Sequence, residues 1–293
     1  MRALDYYRYH GLGNDYLVID PRETSAVTTG LTEETVRLIC DRHFGLGSDG
    51  ILYGPEFHPD YPEQPGVRIF NPDGGEAEKS GNGTRIFARY LVDAGDQRVG
   101  ERFVIHTPGG PVSALVAEPR QRIEMGMGTV SFQSTAIGMT GADREVVNES
   151  LTVAGRPVVV TAASIGNPHC IVPVPNATAT LVQELGPAIE RHPAFVHRTN
   201  VQLLQVLSRS AIHIEIWERG AGYTLASGSS ASAAAAAAVR LGRVNRRLEV
   251  RMPGGSLQVA VAPDWSVTLV GPVESVASGY WSADFKSRLA QLG

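Results

Sequence analysis

Two serines, Ser80 and Ser227, each follow a polar, glycine-bearing loop and precede a segment with helical periodicity. In "EAEKSGNGTRIFARYL", residues 76–91, the apolar residues Ile86, Phe87, Tyr90 and Leu91 fall on one helical face. The first turn of a helix has unpaired backbone N–H groups and the positive end of the helix dipole, so it binds anions. Serine is also a favoured N-cap, and one such serine alone indicates only a cap.

The second serine makes the pattern a repeat. Residues 218–242, "ERGAGYTLASGSSASAAAAAAVRLG", have the same loop, serine, glycine and helical run. Asn71 precedes Ser80 by nine residues, Glu218 precedes Ser227 by nine, and the serines are 147 apart in a chain of 293. This spacing predicts two related domains, each directing a helix N-terminus and a serine at a common cleft. A carboxylate is the anion best suited to such a site, because its two oxygens can accept several N–H bonds.

Composition excludes several function classes. The net charge of −4, without a basic block, argues against nucleic-acid binding. The longest apolar run, 233–239, is too short for a membrane span, and "MRALDYYRYHGLGND" lacks an apolar signal core, so a cytoplasmic protein is expected. Cys40 and Cys170 cannot form a disulfide framework, and the eight histidines lack metal-ligand spacing, so no metal is expected.

The positions of the two serines depend on the surrounding secondary structure, which the sequence predicts to be mainly strands. Ten short apolar runs bounded by turn residues predict strands: "YLVID", "VRIF", "RFVIHT", "RPVVVTAA", "HCIVPV", "VQLLQVL", "AIHIEIW", "RRLEVRM", "LQVAVA" and "SVTLVG". Helices are predicted at about 32–42, at 81–94 ending at Gly95, at 178–191, and at 228–241 ending at Gly242. The small side chains of the alanine run suit a helix at the centre of a domain, close to surrounding strands.

Six loop-bearing motifs occur in one order: "HGLGNDYLVID" (10–20), "DRHFGLGSDGIL" (41–52), "RIFNPDGGEAEKSGNGTRIFARYL" (68–91), "GNPHCIV" (166–172), "RTNV" (198–201) and "ERGAGYTLASG" (218–228). In sequence, order and spacing they resemble the diaminopimelate epimerase family of cofactor-independent amino-acid epimerases. The resemblance implies an α/β (α+β) fold of two pseudo-symmetric domains, each a strongly bent sheet wrapped around a central helix. It places the domains at 1–124 with 272–293 and at 125–271.

The resemblance also implies a substrate-binding set: Asn14, Asn71, Asn167, Asn200, Glu218 and Arg219. Arg219 and the asparagines suit a distal carboxylate, and Glu218 suits an ammonium group. The proximal carboxylate would lie on backbone N–H groups after both serines, which adds Gly81, Asn82, Gly228 and Ser229. His169 is expected to order the loop around Asn167. The implied protein is an isomerase of lysine biosynthesis that uses no PLP, metal or nucleotide, and a homodimer is compatible with the resemblance.

One departure from the family pattern is chemically large. The family has cysteines where this chain has Ser80 and Ser227, and a glutamate where it has Tyr223. A thiol has a pKa near 8.5, which a helix N-terminus lowers further, whereas an alkanol supplies far less anion near neutral pH. A bare serine is therefore a poor base for an α-proton.

The sequence leaves three explanations for the serines at the two cysteine positions of the family. An engineered pair of Cys-to-Ser changes would not explain Ser229, Ser230, Ser232 and Tyr223, so the sequence favours natural divergence. A diverged enzyme would use the serines as relays for another group and could catalyse a different isomerisation or an elimination, whereas a non-catalytic amino-acid-binding protein would keep only the pocket. The candidate helper groups are Glu76, Glu78 and Asp73 beside Ser80, and Tyr223 beside Ser227. Our working hypothesis is an amino-acid epimerase or racemase in which Ser80 and Ser227 face opposite sides of the α-carbon.

Overall fold

The computed structural model describes residues 4–24, 31–78, 80–120 and 122–292, and its contacts divide the chain into two units. Unit 1 comprises residues 1–125 and 271–293, and unit 2 comprises residues 126–270. Lys79 of the first serine motif, and the first three residues of the N-terminal stretch analysed for a signal, lie outside the described residues. Among the residues that are described, we find no helix with the length and apolar character needed to span a membrane.

Strands dominate both units. The helices are α1 (Glu33–Cys40), α2 (Gly81–Ala94), α3 (Ser134–Ile137), α4 (Ala179–Glu190), α5 (Gly228–Arg240) and α6 (Ala283–Ala290). The strands are β1 (Tyr6–Gly11), β2 (Asn14–Ile19), β3 (Ile51–Phe57), β4 (Pro65–Phe70), β5 (Glu76–Ala77), β6 (Arg102–Thr107), β7 (Gly110–Ala117), β8 (Arg122–Thr129), β9 (Glu149–Val153), β10 (Arg156–Ser164), β11 (Pro168–Pro173), β12 (Asn200–Ser208), β13 (Ala211–Glu218), β14 (Gly222–Thr224), β15 (Arg247–Met252), β16 (Gly255–Val261), β17 (Ser266–Gly271) and β18 (Glu274–Gly279).

The two units repeat one topology. Unit 1 has the strand order β18-β1-β2-β3-β4-β6-β7-β8, in which only the β2–β3 and β4–β6 pairs are parallel. Unit 2 has the order β9-β10-β11-β12-β13-β15-β16-β17, in which only β11–β12 and β13–β15 are parallel. In each unit a helix, α1 or α4, makes the first parallel crossover, and a longer helix, α2 or α5, makes the second. The internal repeat and the mixed α/β fold predicted from sequence are confirmed.

The two long crossover helices, α2 and α5, lie at the centre of their units and have most of their surface buried. The α2 helix packs against β1–β4 and β7, and α5 packs against β10–β13, β15 and β16. Each residue from 233 to 238 in the alanine run of α5 is fully buried. Alanine suits this position, since it has no side-chain rotamer entropy to lose and allows close approach of the surrounding strands.

All ten predicted strand segments lie in strands, and the four predicted helices are α1, α2, α4 and α5. The α2 helix ends as predicted, with Gly95 in the left-handed conformation at φ 86°. The prediction omitted α6, which is amphipathic, buries only Leu289 fully and is capped by the Ser282 hydroxyl. Its N-cap serine was the available signal.

Candidate active site

Ser80 is the N-cap of α2, as its sequence context predicted. Its backbone is extended, and its Oγ accepts a hydrogen bond from the Gly83 N–H at 3.0 Å. A Cβ at position 83 would lie 3.1 Å from Ser80 Oγ and 3.0 Å from Leu52 Cδ2. Glycine at 83 therefore lets the serine hydroxyl fold back over the first helical turn.

The Ser80 hydroxyl has a second partner that the sequence interpretation missed. Tyr16, a buried residue on β2, has its phenol oxygen 3.2 Å from Ser80 Oγ, and either group can donate. The ring is held closely, since a Cβ at Gly50 would lie only 2.6 Å from Tyr16 Cε1. The available signal was position: Tyr16 follows Asn14 by two residues on one strand, so both side chains point to the same face.

A one-way chain of hydrogen bonds joins two predicted binding residues in unit 1. Arg85 Nη2 donates to Asn82 Oδ1 at 2.9 Å, Asn82 Nδ2 donates to Asn14 Oδ1 at 3.1 Å, and Asn14 Nδ2 donates to Asp49 Oδ2 at 2.9 Å. Arginine can only donate and an ionised aspartate can only accept, so the two ends fix both amide orientations.

Arg85 is unusual because it is fully buried without a carboxylate partner in the described residues. Its Nε donates to the Pro272 carbonyl at 3.2 Å, and its Nη1 has no hydrogen-bond partner in the same part of the chain. Burial lowers the pKa of its guanidinium to about 10, so it remains charged at neutral pH. Among the described residues, its hydrogen-bond acceptors are the Pro272 carbonyl and the Asn82 side-chain oxygen, so this charged group is a strong donor to Asn82.

The other unit 1 residues that the sequence predicted for the site are not part of the Arg85–Asn82–Asn14–Asp49 hydrogen-bond chain. Asn71 is exposed on the turn after β4, where its N–H donates to the Gly75 carbonyl. Gly81 is the half-buried first residue of α2. Glu76 forms an ion pair with Arg68, and the carboxylate of Asp73 accepts the Gly75 N–H. Both carboxylates therefore have other partners, and among the described residues the titratable group in contact with Ser80 is the phenol of Tyr16.

Ser227 caps α5 with nearly the same backbone geometry, φ −147° and ψ 126° against −141° and 116° for Ser80. Its Oγ accepts from the Ser230 N–H at 3.4 Å and lies 3.4 Å from the Ser229 hydroxyl. Gly228 is the buried first residue of the helix, and Ser229 is half-buried.

Ser227 has a carboxylate neighbour, Glu218, at the end of β13. The half-buried Glu218 side chain accepts a hydrogen bond from the Thr224 hydroxyl at 3.2 Å and lies near the Ser227 hydroxyl. Burial raises the pKa of Glu218, and the neighbouring hydroxyls of Ser227 and Thr224 offset part of the rise. Tyr223, the helper suspected from sequence, donates instead to Glu215 at 2.9 Å.

Asn167 belongs to a second polar chain. Asn167 Oδ1 lies 3.0 Å from His169 Nε2, and Gln202 Nε2 lies 3.1 Å from His169 Nδ1 and 3.0 Å from Ser230 Oγ on α5. Because Gln202 Nε2 can only donate, the imidazole is neutral with its proton on Nε2, donated to Asn167. Burial lowers the pKa of His169 to about 3, so it orders the Asn167 loop and is not a base at neutral pH.

The Asn200 side chain binds the backbone of Arg219. Asn200 Oδ1 accepts the Arg219 N–H at 3.0 Å, and its Nδ2 donates to the Pro168 carbonyl at 2.9 Å. The Arg219 side chain is exposed and donates to the His197 carbonyl at 3.2 Å, which leaves guanidinium N–H groups for an anion.

Solved structures define the fold class to which this architecture belongs. A predicted epimerase from Pseudomonas aeruginosa aligns with a TM-score of 0.63 at 19% identity, covering 95% of this chain and 99% of that one. A probable proline racemase from Agrobacterium radiobacter K84 aligns with a TM-score of 0.67 at 16% identity, covering 95% and 93%. At these identities the likeness concerns the fold alone, which is that of epimerase-like and racemase-like proteins.

Sequence relatives narrow the class. The family model for diaminopimelate epimerase matches residues 6–133 and 161–276. Diaminopimelate epimerase 2 of Nostoc sp. is 46% identical over 282 residues, covering 96% of both chains. The diaminopimelate epimerase of Synechocystis sp. is 39% identical over 284 residues, covering 94% of this chain and 98% of its own. The chain belongs to the diaminopimelate epimerase family.

Proposed function

We propose that this protein is a cofactor-independent amino-acid isomerase that inverts the α-carbon of a diamino-dicarboxylic acid such as diaminopimelate. The observation that carries the proposal is the repeated cap: Ser80 and Ser227 begin corresponding helices in two units of identical topology, with matching backbone angles. An inversion needs one group to remove the α-proton and a second group to return a proton to the opposite face. A duplicated fold with one serine per repeat supports that division of work.

Substrate binding follows from the groups around each cap. Gly81 and Asn82 in unit 1, and Gly228 and Ser229 in unit 2, lie in the first turns of α2 and α5, where each helix dipole favours a carboxylate of the substrate. Glu218 receives an ammonium group, and Arg219 binds the distal carboxylate with the asparagines: Asn14, Asn71, Asn167 and Asn200. A substrate with an ammonium and a carboxylate group at each end uses all of these groups.

The chemistry is proton transfer assisted by electrostatic stabilisation. Removing the α-proton places negative charge on the α-carbon and its carboxylate. N–H dipoles already directed at that carboxylate stabilise the charge without reorganisation. The serines transfer the protons on opposite faces. Since an alkanol is a weak acid, each serine needs a titratable neighbour to share the transfer.

Proton NMR with diaminopimelate stereoisomers in deuterated water tests the function. Loss of the α-proton signal together with inversion is expected, while binding is measured in parallel by calorimetry. Binding without isotope entry would contradict the isomerase and leave a binding protein or a different reaction. As further proposals from the family resemblance, the protein acts in the cytoplasm and assembles as a homodimer, which subcellular fractionation and analytical ultracentrifugation can test.

A further inference from the structure

We infer that Tyr16 acts through Ser80, and that the two hydroxyls form a proton relay that takes the place of a thiol. This inference rests on the proposed isomerase function and assigns the titratable group that the unit 1 serine needs. It is drawn from the contact between two side chains in one unit, on β2 and at the start of α2.

The hydrogen bonds at Ser80 leave its proton available for transfer. Its oxygen accepts the Gly83 N–H at 3.0 Å and can accept the phenol proton of Tyr16 at 3.2 Å. With both lone pairs used in this way, the serine O–H is free to point at a substrate. Because either hydroxyl can donate in the Tyr16–Ser80 contact, the same pair can also work in the reverse direction.

The surrounding structure holds the phenol at that position. Tyr16 is only 6% exposed, and the absence of a side chain at Gly50 makes room for its ring. The absence of a side chain at Gly83 likewise makes room for the Ser80 hydroxyl. Two close approaches therefore fix both ends of the relay, and fixed geometry is what a short proton transfer requires.

The proton balance is complete without a cofactor. When the pair acts as acid, the Ser80 O–H bond breaks as its proton bonds to the α-carbon. The Tyr16 O–H bond breaks as its proton moves to Ser80 Oγ, and the negative charge passes from the substrate to the phenolate. When the pair acts as base, each transfer is reversed. A phenol has an ordinary pKa near 10, much closer to that of a thiol than an alkanol is, so the relay lowers the cost of forming the anion.

A double-mutant cycle separates this role from simple packing. Tyr16→Phe keeps the ring and removes the hydroxyl, and we expect inversion to slow about 100-fold or more. In a Ser80→Cys background the thiol ionises without help, so adding Tyr16→Phe should change the rate less than about threefold. Tyr9→Phe is the matched control, because Tyr9 is buried opposite Tyr16 on β1 and donates to Asp93 instead.

Isotope entry supplies a second readout. If the Ser227 side still removes a proton in Tyr16→Phe, deuterium should enter one stereoisomer with retention while inversion is lost. If Tyr16→Phe does not fold, a ring-fluorinated tyrosine at position 16, with a more acidic phenol, should shift the rate without changing packing. An equal cost of Tyr16→Phe in both backgrounds, or no cost, would overturn the relay and leave the isomerase standing. A wild-type protein that binds substrate without exchange would overturn both.

Discussion

The N-termini of α2 and α5 share a backbone and differ in their chemistry. Both begin with an extended serine whose hydroxyl accepts an N–H from the first helical turn. Ser80 then contacts a phenol, whereas Ser227 contacts a carboxylate with a raised pKa. Duplication of a fold thus repeats the geometry of the helix N-terminus, which depends on the backbone, but leaves the partners of each serine free to diverge, because they are side chains.

The hydrogen-bond chains near the two caps also differ in their side chains. Unit 1 uses charged ends, Arg85 and Asp49, to orient two asparagines, whereas unit 2 orders Asn167 through a neutral histidine and Gln202. A charged chain holds its amides strongly and costs more to bury. The following experiments test whether the two serine caps differ in function as they do in their side-chain partners.

The largest expected effect comes from removing either serine hydroxyl. Ser80→Ala and Ser227→Ala should each lower inversion by about 10³-fold or more, since both faces of the α-carbon need a proton-transferring group. The measurement is inversion of diaminopimelate by NMR or circular dichroism.

Loss of a helix cap alone costs stability, so a control is needed. Ser282→Ala removes the same type of cap, from α6, and should cost about 1 kcal/mol of unfolding free energy without changing turnover. If only one serine proved necessary, a mechanism with one proton-transferring group on each face of the α-carbon would be wrong.

The next effect concerns substrate binding in unit 2. Arg219→Ala should weaken binding at least about 100-fold, because a charged, two-point contact to a carboxylate is lost. Arg209→Ala is the matched control, since Arg209 is also an exposed arginine that donates to a backbone carbonyl. Calorimetric titration that gives equal affinity for both variants would remove Arg219 from the site.

The sequence predicted those features of the two units that depend on local sequence pattern. Short apolar runs bounded by turn residues predicted ten strands, and the serine–glycine starts predicted α2 and α5 with their caps. It did not predict Tyr16 beside Ser80, because that contact joins residues 64 positions apart and depends on the pairing of β2 within the sheet. It also placed Tyr223 with Ser227, whereas Glu215, on the neighbouring strand β13, binds the Tyr223 hydroxyl. Side-chain partners across strands are set by register, which one sequence does not reveal.

A smaller effect is expected from Arg85, which acts on the site through Asn82. Arg85→Met keeps much of the side-chain volume and removes the donor that orients Asn82, so KM should rise about tenfold while kcat changes less. Arg85→Lys keeps a charged donor and should recover part of the affinity. If KM is unchanged in Arg85→Met while the free energy of unfolding falls, Arg85 is structural, and the charged chain of unit 1 does not position the substrate.

The smallest effect is on stability in acid and belongs to the neutral chain of unit 2. The folded-state pKa of His169 is depressed to about 3, below its ordinary value near 6.5, so between these values the unfolded chain binds a proton that the native protein does not. The stabilisation present above pH 6.5 is therefore lost progressively as the pH falls, with a slope of up to about 1.4 kcal/mol per pH unit. Replacing His169 by Gln should remove this contribution, so urea unfolding between pH 7 and pH 4.5 should show a shallower loss of stability in the variant.

Above pH 7 both proteins are neutral at this position, and the difference between them should be constant. Parallel curves over the whole range would mean that the imidazole takes up a proton in the native state, in which case Asn167 could not remain the acceptor of a neutral ring and the contrast between a charged and a neutral chain would fail.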